Sequence, residues 1–397
     1  MIQANKERIN VAESIADAVA RTDVTFVVVP TPSDVTGGFS VQYAEEAFRD
    51  LGAALAKKND YHLVVMTSTV LPGATRAHLL RALEDQSGLR CGPDFGLCYS
   101  PEFIALGSVI RDFLNPDFLL IGEFDERSGS ILESFYKTVT SNGAPAARMS
   151  IENAELAKVS LNAYVTMKIT FANMLAKLCE RIPNGDVDAV TGALGLDKRI
   201  GRHYLVGGLG FGGPCFPRDN VALAAFADSI GVDVPLARAT HDANLRIPQE
   251  LVSASALERR KVAVLGISYK VGSHVIEESQ GLAIARYCAH HANEVALFDP
   301  LMREMQLVVE RPSRVAVSLE DAVPDADIVI VANRDPFFNG LPSILAALSR
   351  PVTVIDVWRT FRSDLNQCAH VTYRATGVGY ATTTSPATRN VRAASRS

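Results

Sequence analysis

The segment Tyr204–Asn220 surrounds one cysteine, Cys215, with residue types that favour chemistry over scaffold; it reads Y-L-V-G-G-L-G-F-G-G-P-C-F-P-R-D-N. The glycines ahead of the thiol lack a Cβ atom, so the backbone can take positive φ and approach a ligand closely. Pro214 and Pro217 stiffen the chain on either side of it. Asp219 follows one helical turn later if a helix starts at Pro217. This spacing predicts a cysteine nucleophile with a carboxylate close enough to tune it.

The alternative is that Cys215 is a small buried hydrophobe, as most cysteines in soluble proteins are. We expect that of the other cysteines, which are Cys91, Cys98, Cys179, Cys288 and Cys368. The neighbours of Cys215 favour a functional role instead. Gly208-x-Gly210-x-x-Gly213 matches the spacing of a dinucleotide fingerprint, but R-I-G-R-H-Y before it is not the buried strand that this fingerprint requires. We therefore predict that this loop does not bind a dinucleotide.

Length and charge exclude several classes of protein. At 397 residues the chain is too long for one core and predicts two or three domains. A net charge of −5 argues against non-specific binding to nucleic acid or to a membrane surface. A small molecule or a second copy of the chain is the expected partner. The sequence shows no membrane-length apolar run, no secretory apolar core, and no metal-type or redox-type cysteine pairing, so we expect a cytoplasmic protein without a metal site.

Apolar runs alternate with helical patterns over the first part of the chain. The run Val24–Val29 predicts a strand buried on both faces of a parallel sheet. Further strands are predicted at Leu63–Met66, Gly96–Tyr99 and Phe118–Gly122. This alternation predicts a doubly wound α/β sheet, in which ligands lie at the carboxyl ends of the strands. Thr31, Ser68, Thr69 and Ser100–Glu102 all fall at such ends.

A helical pattern without glycine or proline extends from Glu152 to Arg181. It carries one polar row at i, i+3/i+4 spacing, formed by Glu155, Lys158, Asn162 and Thr166. Apolar residues occupy most of the remaining circumference, which predicts a helix largely buried between domains. The polar row is either a solvated stripe or a buried one; a buried lysine and asparagine need partners, and a ligand can be one.

A second α/β pattern starts with the strand Lys261–Gly266, and three more strands follow at Glu294–Phe298, Asp327–Val331 and Val352–Ile355. No Gly-x-Gly follows Gly266, which favours a mononucleotide over a dinucleotide in this domain. The predicted domains are 1–145, 146–250 and 251–381. The segment 382–397 is rich in Thr, Ser, Ala and Arg and predicts a disordered tail.

The motifs of this chain, in order, resemble those of the nucleotide-sugar 6-dehydrogenases, the UDP-glucose, UDP-N-acetylmannosamine and GDP-mannose dehydrogenases. They are V-P-T-P, S-T-V-x-P-G, S-P-E-F, N-P-D, K-x-x-x-N, G-F-G-G-P-C-F-P-R-D, V-L-G-I-S-Y-K, F-D-P and I-D-V-W-R. The resemblance covers nearly the whole chain. It implies two Rossmann-like doubly wound parallel-sheet domains joined by a long central helix and a helical dimerisation region. The first domain would bind NAD, the last would bind the nucleotide sugar, and the protein would be a homodimer.

The resemblance also implies an activity, the NAD-dependent four-electron oxidation of the C6 hydroxyl of a nucleotide-diphosphate sugar to the uronic acid. Cys215 would hold the substrate as a thiohemiacetal and then as a thioester. Lys158 and Asn162 would stabilise the oxyanion, and Asp219 would poise the cysteine.

The resemblance also implies that three residues contact the cofactor or the hydrolytic water. Thr69 and Glu102 would position and activate that water. The same two residues, with Thr31, would contact NAD.

The residues implied to contact the sugar nucleotide are Phe103, Lys158, Asn162, Arg199, Gly212, Lys270 and Arg359. Among them, Lys270 and Arg359 resemble residues that hold the nucleotide phosphates or base. Arg199, in D-K-R-I-G, resembles an arginine that reaches a sugar nucleotide across a dimer interface.

Three features depart from the family's pattern. The family opens with a strand, a G-x-G-x-x-G loop and a helix, and we expect a βα unit of roughly thirty or more residues to be missing here, leaving an unoccupied position beside the strand Val24–Val29. Leu106 stands where some members have a second glutamate, and Glu277 stands where the family has a basic residue near the cofactor. The alternative function is therefore a catalytically impaired relative that binds a sugar nucleotide or forms a dimer without binding NAD.

Overall fold

The computed structural model describes residues 3–302, 307 and 309–380. They form two compact units. The first unit contains the described residues up to Met167 together with Gly212–Ala243, and the second contains Lys168–Phe211 together with the described residues from Asn244 onward. The predicted segment 146–250 contributes to both units, so the division into three domains stays a prediction. The predicted disordered tail lies outside the described residues.

Helices and strands alternate along the chain. Up to the long helix, the elements are α1 Ile15–Arg21, β1 Val24–Val27, α2 Gln42–Leu55, β2 Leu63–Met66, α3 Arg81–Ser87, β3 Gly96–Tyr99, α4 Val109–Leu114, β4 Leu119–Glu123, α5 Glu126–Val139, β5 Ala146–Ser150 and α6 Ile151–Arg181. The later elements are α7 Val187–Leu194, α8 Phe216–Ser229, α9 Pro235–Leu245, α10 Ile247–Leu251, α11 Ala254–Leu257, β6 Lys261–Leu265, α12 Gln280–Ala289, β7 Glu294–Phe298, β8 Ser313–Val315, α13 Leu319–Ala322, β9 Ile328–Val331, α14 Leu341–Ala346, β10 Val352–Asp356, α15 Arg362–Leu365 and β11 Val371–Ala375. Within the described part of the chain, no helix is long and apolar enough to span a membrane.

The first unit is built on a sheet of five strands in the order β1-β2-β3-β4-β5. The pairs β1/β2, β2/β3 and β4/β5 are parallel, whereas β3 and β4 are antiparallel. The predicted parallel pairing therefore holds for three of the four strand pairs, and β3/β4 is the exception. Between β3 and β4 the only α-helix is α4, which buries none of its residues. A helix that does not cover the sheet cannot serve as the crossover that a parallel pair requires.

The strand β1 lies at the edge of this sheet and is only partly buried. Among the described residues it pairs with β2 alone, whereas β2 and β3 are buried throughout. The strand ends at Val27, and Val28 is 70% exposed. The prediction that Val24–Val29 is buried on both faces is wrong, because Val27 alone is fully buried in β1 and Val28 faces solvent.

The second unit is built on a parallel sheet of six strands in the order β11-β10-β9-β6-β7-β8. The chain winds outward in one direction from β6 through β8 and in the other from β9 through β11. The strand order therefore reverses between β6 and β9. In open α/β sheets, ligands bind beside the carboxyl ends of the strands at such a switch point.

The predicted long helix is confirmed as α6, but its buried face is the polar one. Glu155 and Thr166 are 0% exposed, Asn162 is 6% and Lys158 is 9% exposed. Large apolar side chains face solvent at helical spacing, with exposures of 42–55%. They are Leu156, Tyr164, Phe171, Met174 and Leu178. Most of the other residues of α6 are buried or half-buried, so the helix is largely buried apart from these apolar side chains; its position between domains stays a prediction.

Candidate active site

Helix α8 places Asp219 one turn beyond Cys215, as the spacing predicts. Cys215 is the residue before the helix, Pro217 lies in its first turn, and the Asp219 backbone N–H donates to the Cys215 carbonyl over 2.9 Å. Cys215 is exposed, so a substrate can reach its sulfur. Asp219 is 1% exposed and therefore needs partners inside the protein.

Helix α6 supplies a hydrogen-bond donor to one oxygen of the Asp219 carboxylate. Asn162 Nδ2 donates to Asp219 Oδ2 over 2.6 Å. Asp219 Oδ1 has no hydrogen-bond partner among the described residues and lies 3.8 Å from Arg218 Nε. Burial raises the pKa of Asp219, and the Asn162 hydrogen bond and the nearby cations Arg218 and Lys158 lower it by less. A carboxylate in this state accepts a proton more readily than an exposed aspartate does.

Lys158 lies one turn before Asn162 on the same buried face of α6. Its Nζ donates to the backbone carbonyl of Glu102 over 2.7 Å and lies 4.4 Å from the centre of the Phe103 ring. The Glu102 side chain is exposed. Burial lowers the pKa of Lys158, while Asp219 and Glu102 oppose the shift. Lys158 thus contacts two predicted site residues, Glu102 through its backbone carbonyl and Phe103 through its ring.

The pKa of Cys215 is raised, not lowered. Partial burial is the main cause, and the Asp219 charge adds to it; Arg218 and Lys158 lower the pKa by less. The two cations near Cys215 therefore do not lower its pKa below the ordinary value, because burial and the Asp219 charge outweigh them. The resting group is a thiol, so its attack on a carbonyl needs a proton acceptor, and Asp219 is the nearest carboxylate along the chain.

Arg218 is a member of this cluster that sequence reasoning did not assign. Its Nη1 donates to the Thr31 carbonyl over 3.2 Å, and its guanidinium carbon lies 4.6 Å from the centre of the Phe39 ring. It therefore joins the carboxyl end of β1 to the cysteine helix. Its position three residues after Cys215, on the first turn of a helix, was the signal that could have found it.

Glu155 is a second residue without a role assigned from sequence. It is 0% exposed, and its carboxylate accepts from the Gly73 N–H over 2.5 Å and from the Thr75 N–H over 2.9 Å. Gly73 and Thr75 lie at the end of the loop that follows β2, and this loop contains the predicted residue Thr69. At the other end of the loop, Thr31 Oγ1 donates to the Thr69 carbonyl over 2.9 Å. The loop is thus fixed to α6 at one end and to the segment after β1 at the other.

Thr31 and Thr69 lie beyond the carboxyl ends of β1 and β2, where Val28 is exposed, and Arg218 connects this edge to the cysteine helix. Their predicted contacts with NAD stay a prediction. A glycine loop between a strand and a helix, which would hold the pyrophosphate, does not occur in the described ranges of this sheet.

Two of the glycines before Cys215 make room for protein side chains and not for a ligand. Only Gly213 takes positive φ, at 83°. Within the second unit, a Cβ at Gly208 would lie 2.4 Å from the Trp358 ring, and a Cβ at Gly210 would lie 2.0 Å from Asn244 Oδ1. The expectation that these glycines bring the backbone close to a ligand is wrong at Gly208 and Gly210, because protein side chains fill the space. Gly212 lies beside Gly213, in the first unit.

Arg359, in the second unit, is bound entirely by protein groups. It is 8% exposed, and it binds both Asp188 oxygens, with Nε–Oδ2 at 2.7 Å and Nη2–Oδ1 at 2.8 Å. It also donates to the carbonyls of Val357, Thr376 and Gly207. Its donors are therefore occupied, and its predicted contact with the nucleotide would require some of these bonds to open.

The other two predicted residues of the second unit are exposed. Arg199 binds Asp197, with Nη2–Oδ2 at 2.5 Å, and Lys270 follows β6 at the switch point of the sheet. Beside Lys270 lie two buried polar residues that sequence reasoning did not assign. Asp299 Oδ2 accepts from the N–H groups of residues 267 and 268, and Asn333 Nδ2 lies 3.4 Å from Ser268 Oγ.

Similarity to known proteins extends over both units. Models of the UDP-glucose/GDP-mannose dehydrogenase family match as the NAD binding domain over residues 1–140, the central domain over 152–246 and the UDP binding domain over 263–363. The chain is 31% identical to the GDP-mannose 6-dehydrogenase of Pseudomonas syringae pv. tomato, over 82% of this chain and 77% of that protein. It is 32% identical to a UDP-glucose 6-dehydrogenase of Haloferax volcanii, over 85% of this chain and 80% of that protein.

A solved structure of a related protein has the same fold. The UDP-glucose dehydrogenase of Pyrobaculum islandicum superposes with a TM-score of 0.81 at 33% identity, covering 95% of this chain and 84% of that one. Because sequence and fold agree over most of the chain and not at one motif alone, this chain belongs to the UDP-glucose/GDP-mannose dehydrogenase family, whose members are NAD-dependent oxidoreductases.

Proposed function

We propose that this protein oxidises the C6 hydroxyl of a nucleotide-diphosphate sugar to a carboxylate through a covalent intermediate on Cys215. The observation that carries the proposal is the arrangement in the first unit. An exposed thiol precedes a helix whose first turn bears the buried Asp219, and Asn162 donates directly to that carboxylate. Lys158 lies one turn away on the same helix face as Asn162.

The oxygen on C6 becomes an oxyanion during the reaction, so it needs hydrogen-bond donors that are already in position. Lys158 carries further ammonium protons beyond the one given to Glu102, and Asn162 Nδ2 carries a second proton beyond the one given to Asp219. Both groups are buried, where a donor stabilises a developing oxyanion far more than in water. NAD, when bound, accepts the hydride that C6 loses in each of the two oxidations.

The thiol chemistry needs a proton acceptor. When the Cys215 sulfur bonds to the C6 aldehyde, the thiol proton goes to Asp219, and the carbonyl oxygen becomes the oxyanion held by Lys158 and Asn162. Loss of the second hydride turns this thiohemiacetal into a thioester. Water then adds to the thioester carbon, the carbon–sulfur bond breaks, and the thiol recovers its proton. We assign the positioning of that water to Thr69 and Glu102.

The nucleotide is proposed to bind to the second unit at the switch point between β6 and β9. Lys270 supplies an exposed cation in the loop after β6, and Asp299 and Asn333 fix the backbone around it. The match of residues 263–363 to a UDP binding domain supports this placement. The names of the relatives leave both UDP-glucose and GDP-mannose as substrates to test.

The test is the stoichiometry of the reaction. Purified protein is incubated with NAD and either UDP-glucose or GDP-mannose, and NADH and sugar carboxylate are both counted. The proposal predicts two NADH for each carboxylate formed, without free aldehyde. One NADH for each sugar, with the aldehyde released, would contradict the covalent pathway.

The second candidate function is a relative that binds the sugar nucleotide but does not oxidise it. Leu106 and Glu277, which stand where some members have a glutamate and where the family has a basic residue near the cofactor, favour this candidate. Titrating the protein separately with NAD and with UDP-glucose decides between the two. Sugar-nucleotide binding without NAD binding or NADH formation would favour the second candidate.

A second copy of the chain is the proposed partner. The exposed apolar residues of α6 are separated by eight, seven, three and four residues, so they lie roughly along one side of the helix, as in a helix that pairs with another. We propose that this face forms a two-fold interface and that Arg199 lies near it.

A further inference from the structure

A pocket of about 350 Å³ lies within the second unit and shares no lining residue with the proposed active site. The carboxyl-terminal half of α6, the helix α10 and the carboxyl ends of β10 and β11 enclose it. Ligands of doubly wound sheets lie at this end of the strands. The volume is within the range of small-molecule sites.

The rim of this pocket has two arginines without a carboxylate partner. Lys177, Arg181 and Arg374 line it together with Glu180 and Glu250. Lys177 binds Glu250, and Glu180 accepts the Gly377 N–H over 2.8 Å. No ion pair of the described residues includes Arg181 or Arg374.

These two arginines come from different elements that line the pocket. Arg181 ends α6, and Arg374 belongs to the edge strand β11, where it pairs in register with the pocket residue Ile355. Two guanidinium groups that face one space match the oxygens of a phosphate group, because each can donate two parallel hydrogen bonds.

The rest of the lining suits an aromatic ring. Tyr380 is 49% exposed, and its hydroxyl is held by the Ala375 N–H over 3.0 Å, so the ring has a fixed orientation and an open face. The floor includes the buried apolar residues Ile355 and Val378. The buried amide of Asn173 is already satisfied by Gly208 N–H and the Leu209 carbonyl. These lining residues therefore require no hydrogen bond from a ligand.

We propose that this pocket binds a nucleoside phosphate, with the phosphate on Arg181 and Arg374 and the base against Tyr380. This site is additional to the sugar-nucleotide and NAD sites of the proposed function, and no step of that reaction depends on it. Its occupant would regulate the protein or stabilise it.

Calorimetric titrations with AMP and with inorganic pyrophosphate test the phosphate contacts. The double variant Arg181→Gln/Arg374→Gln is expected to lose one binding site for each probe, or to bind it at least about tenfold more weakly, because both charged hydrogen-bond donors to the phosphate are lost. Arg286→Gln is the matched control, because Arg286 is an exposed arginine of the same unit away from the pocket. Equal affinity and equal site number in the wild type and the double variant would overturn the proposal. So would a wild type that binds neither probe.

Two variants of Tyr380 test the base contact. Tyr380→Phe keeps the ring and loses only the hydroxyl that accepts from Ala375, so AMP binding is expected to stay within about twofold. Tyr380→Leu removes the ring and is expected to weaken AMP about tenfold while pyrophosphate is unaffected, since stacking of a base on an aromatic ring contributes about 1–3 kcal/mol. Equal losses for AMP and pyrophosphate in Tyr380→Leu would contradict a nucleotide and leave only an anion site. The melting temperature of every variant, compared with Arg286→Gln, separates lost binding from lost folding.

Discussion

At the scale of single residues, the candidate site combines an exposed cysteine with the buried polar residues Lys158, Asn162 and Asp219. Spacing predicted Asp219 near Cys215 and Lys158 on the same helix face as Asn162, whereas only the family resemblance implied that the four act together. The direction of the Cys215 pKa was not predictable, because it depends on how much protein surrounds the sulfur and on which neighbouring charge lies nearer. Arg218 was missed for a related reason, since its contacts are with residues far away in sequence.

Asn162 is expected to control the protonation of Asp219. In Asn162→Ala the hydrogen bond to the carboxylate is lost, so the pKa of Asp219 should rise further and the acidic limb of the kcat/KM profile should move to higher pH. Loss of an oxyanion donor should also lower kcat by about 10²–10³-fold. Asn153→Ala, at an exposed position of the same helix, is the control. An unshifted pH profile with normal kcat would remove Asn162 from the mechanism.

His62 should make the first unit sensitive to mild acid. It is 0% exposed, Thr25 Oγ1 lies 2.8 Å from its Nε2, and burial with the nearby Lys58 charge lowers its pKa to about 4. The folded pKa lies below the ordinary value of 6.5, so the unfolded chain binds a proton first as the pH falls. Stability is therefore complete above pH 6.5 and is lost toward pH 4, at about 1.4 kcal/mol per pH unit.

Urea unfolding of the wild type at pH 7 and at pH 5 measures this effect. We expect the free energy of unfolding to fall by about 2 kcal/mol, and His62→Gln to reduce that difference. His290→Gln, at an exposed histidine, should keep it. An identical pH dependence in His62→Gln and the wild type would show that other groups cause the loss.

At the scale of elements, the long helix and most buried strands were predictable because their residues repeat at 3.6 or run continuously apolar. The strand β5 was missed because Arg148 interrupts its apolar pattern; its guanidinium binds Glu123 and Glu133, which a single sequence does not reveal. The edge strand β11 was missed because alternate residues are exposed. Which side of α6 is buried also could not be read from composition, since the polar row faces inward only because its partners lie on other elements.

Glu155 should matter for both stability and turnover, because it fixes the loop after β2 to α6. In Glu155→Gln one carboxylate oxygen becomes an amide nitrogen, which cannot accept from both the Gly73 and the Thr75 N–H groups. A buried N–H without a partner costs about 1–3 kcal/mol, and displacement of Thr69 should lower kcat more than it raises KM. Chemical denaturation and steady-state kinetics measure the two effects.

Glu152→Gln is the matched control for this prediction. Glu152 lies in the preceding turn of the same helix and binds Arg76 at the surface, where an ion pair contributes about 1 kcal/mol or less. If Glu155→Gln and Glu152→Gln behaved alike, the loop would be held by other contacts.

At the scale of the whole molecule, the sequence predicted two α/β sheets with a long helix, and the family assignment confirms that class. Strand direction was the weak point, because an apolar run such as Leu119–Glu123 is the same in a parallel or an antiparallel pair.

Self-association is the prediction that belongs to this scale. Leu178 is 53% exposed on the apolar face of α6, and Leu178→Asp would place a charge in the proposed two-fold interface. We expect the wild type to sediment as a dimer at micromolar concentration and the variant to sediment as a monomer. Val317→Asp, at a site 77% exposed outside α6, should leave the dimer intact. A monomeric wild type would disprove the interface.

The most direct test of the account is acid formation by Cys215→Ser. The serine hydroxyl keeps the approximate shape of the thiol but is a far poorer nucleophile at neutral pH. With a nucleotide sugar that the wild type converts to acid with two NADH per sugar, the variant should form no acid while its affinity for that sugar stays within about twofold. If the variant instead kept the turnover and the two NADH per sugar of the wild type, Cys215 would be a structural residue and the proposed covalent mechanism would be wrong.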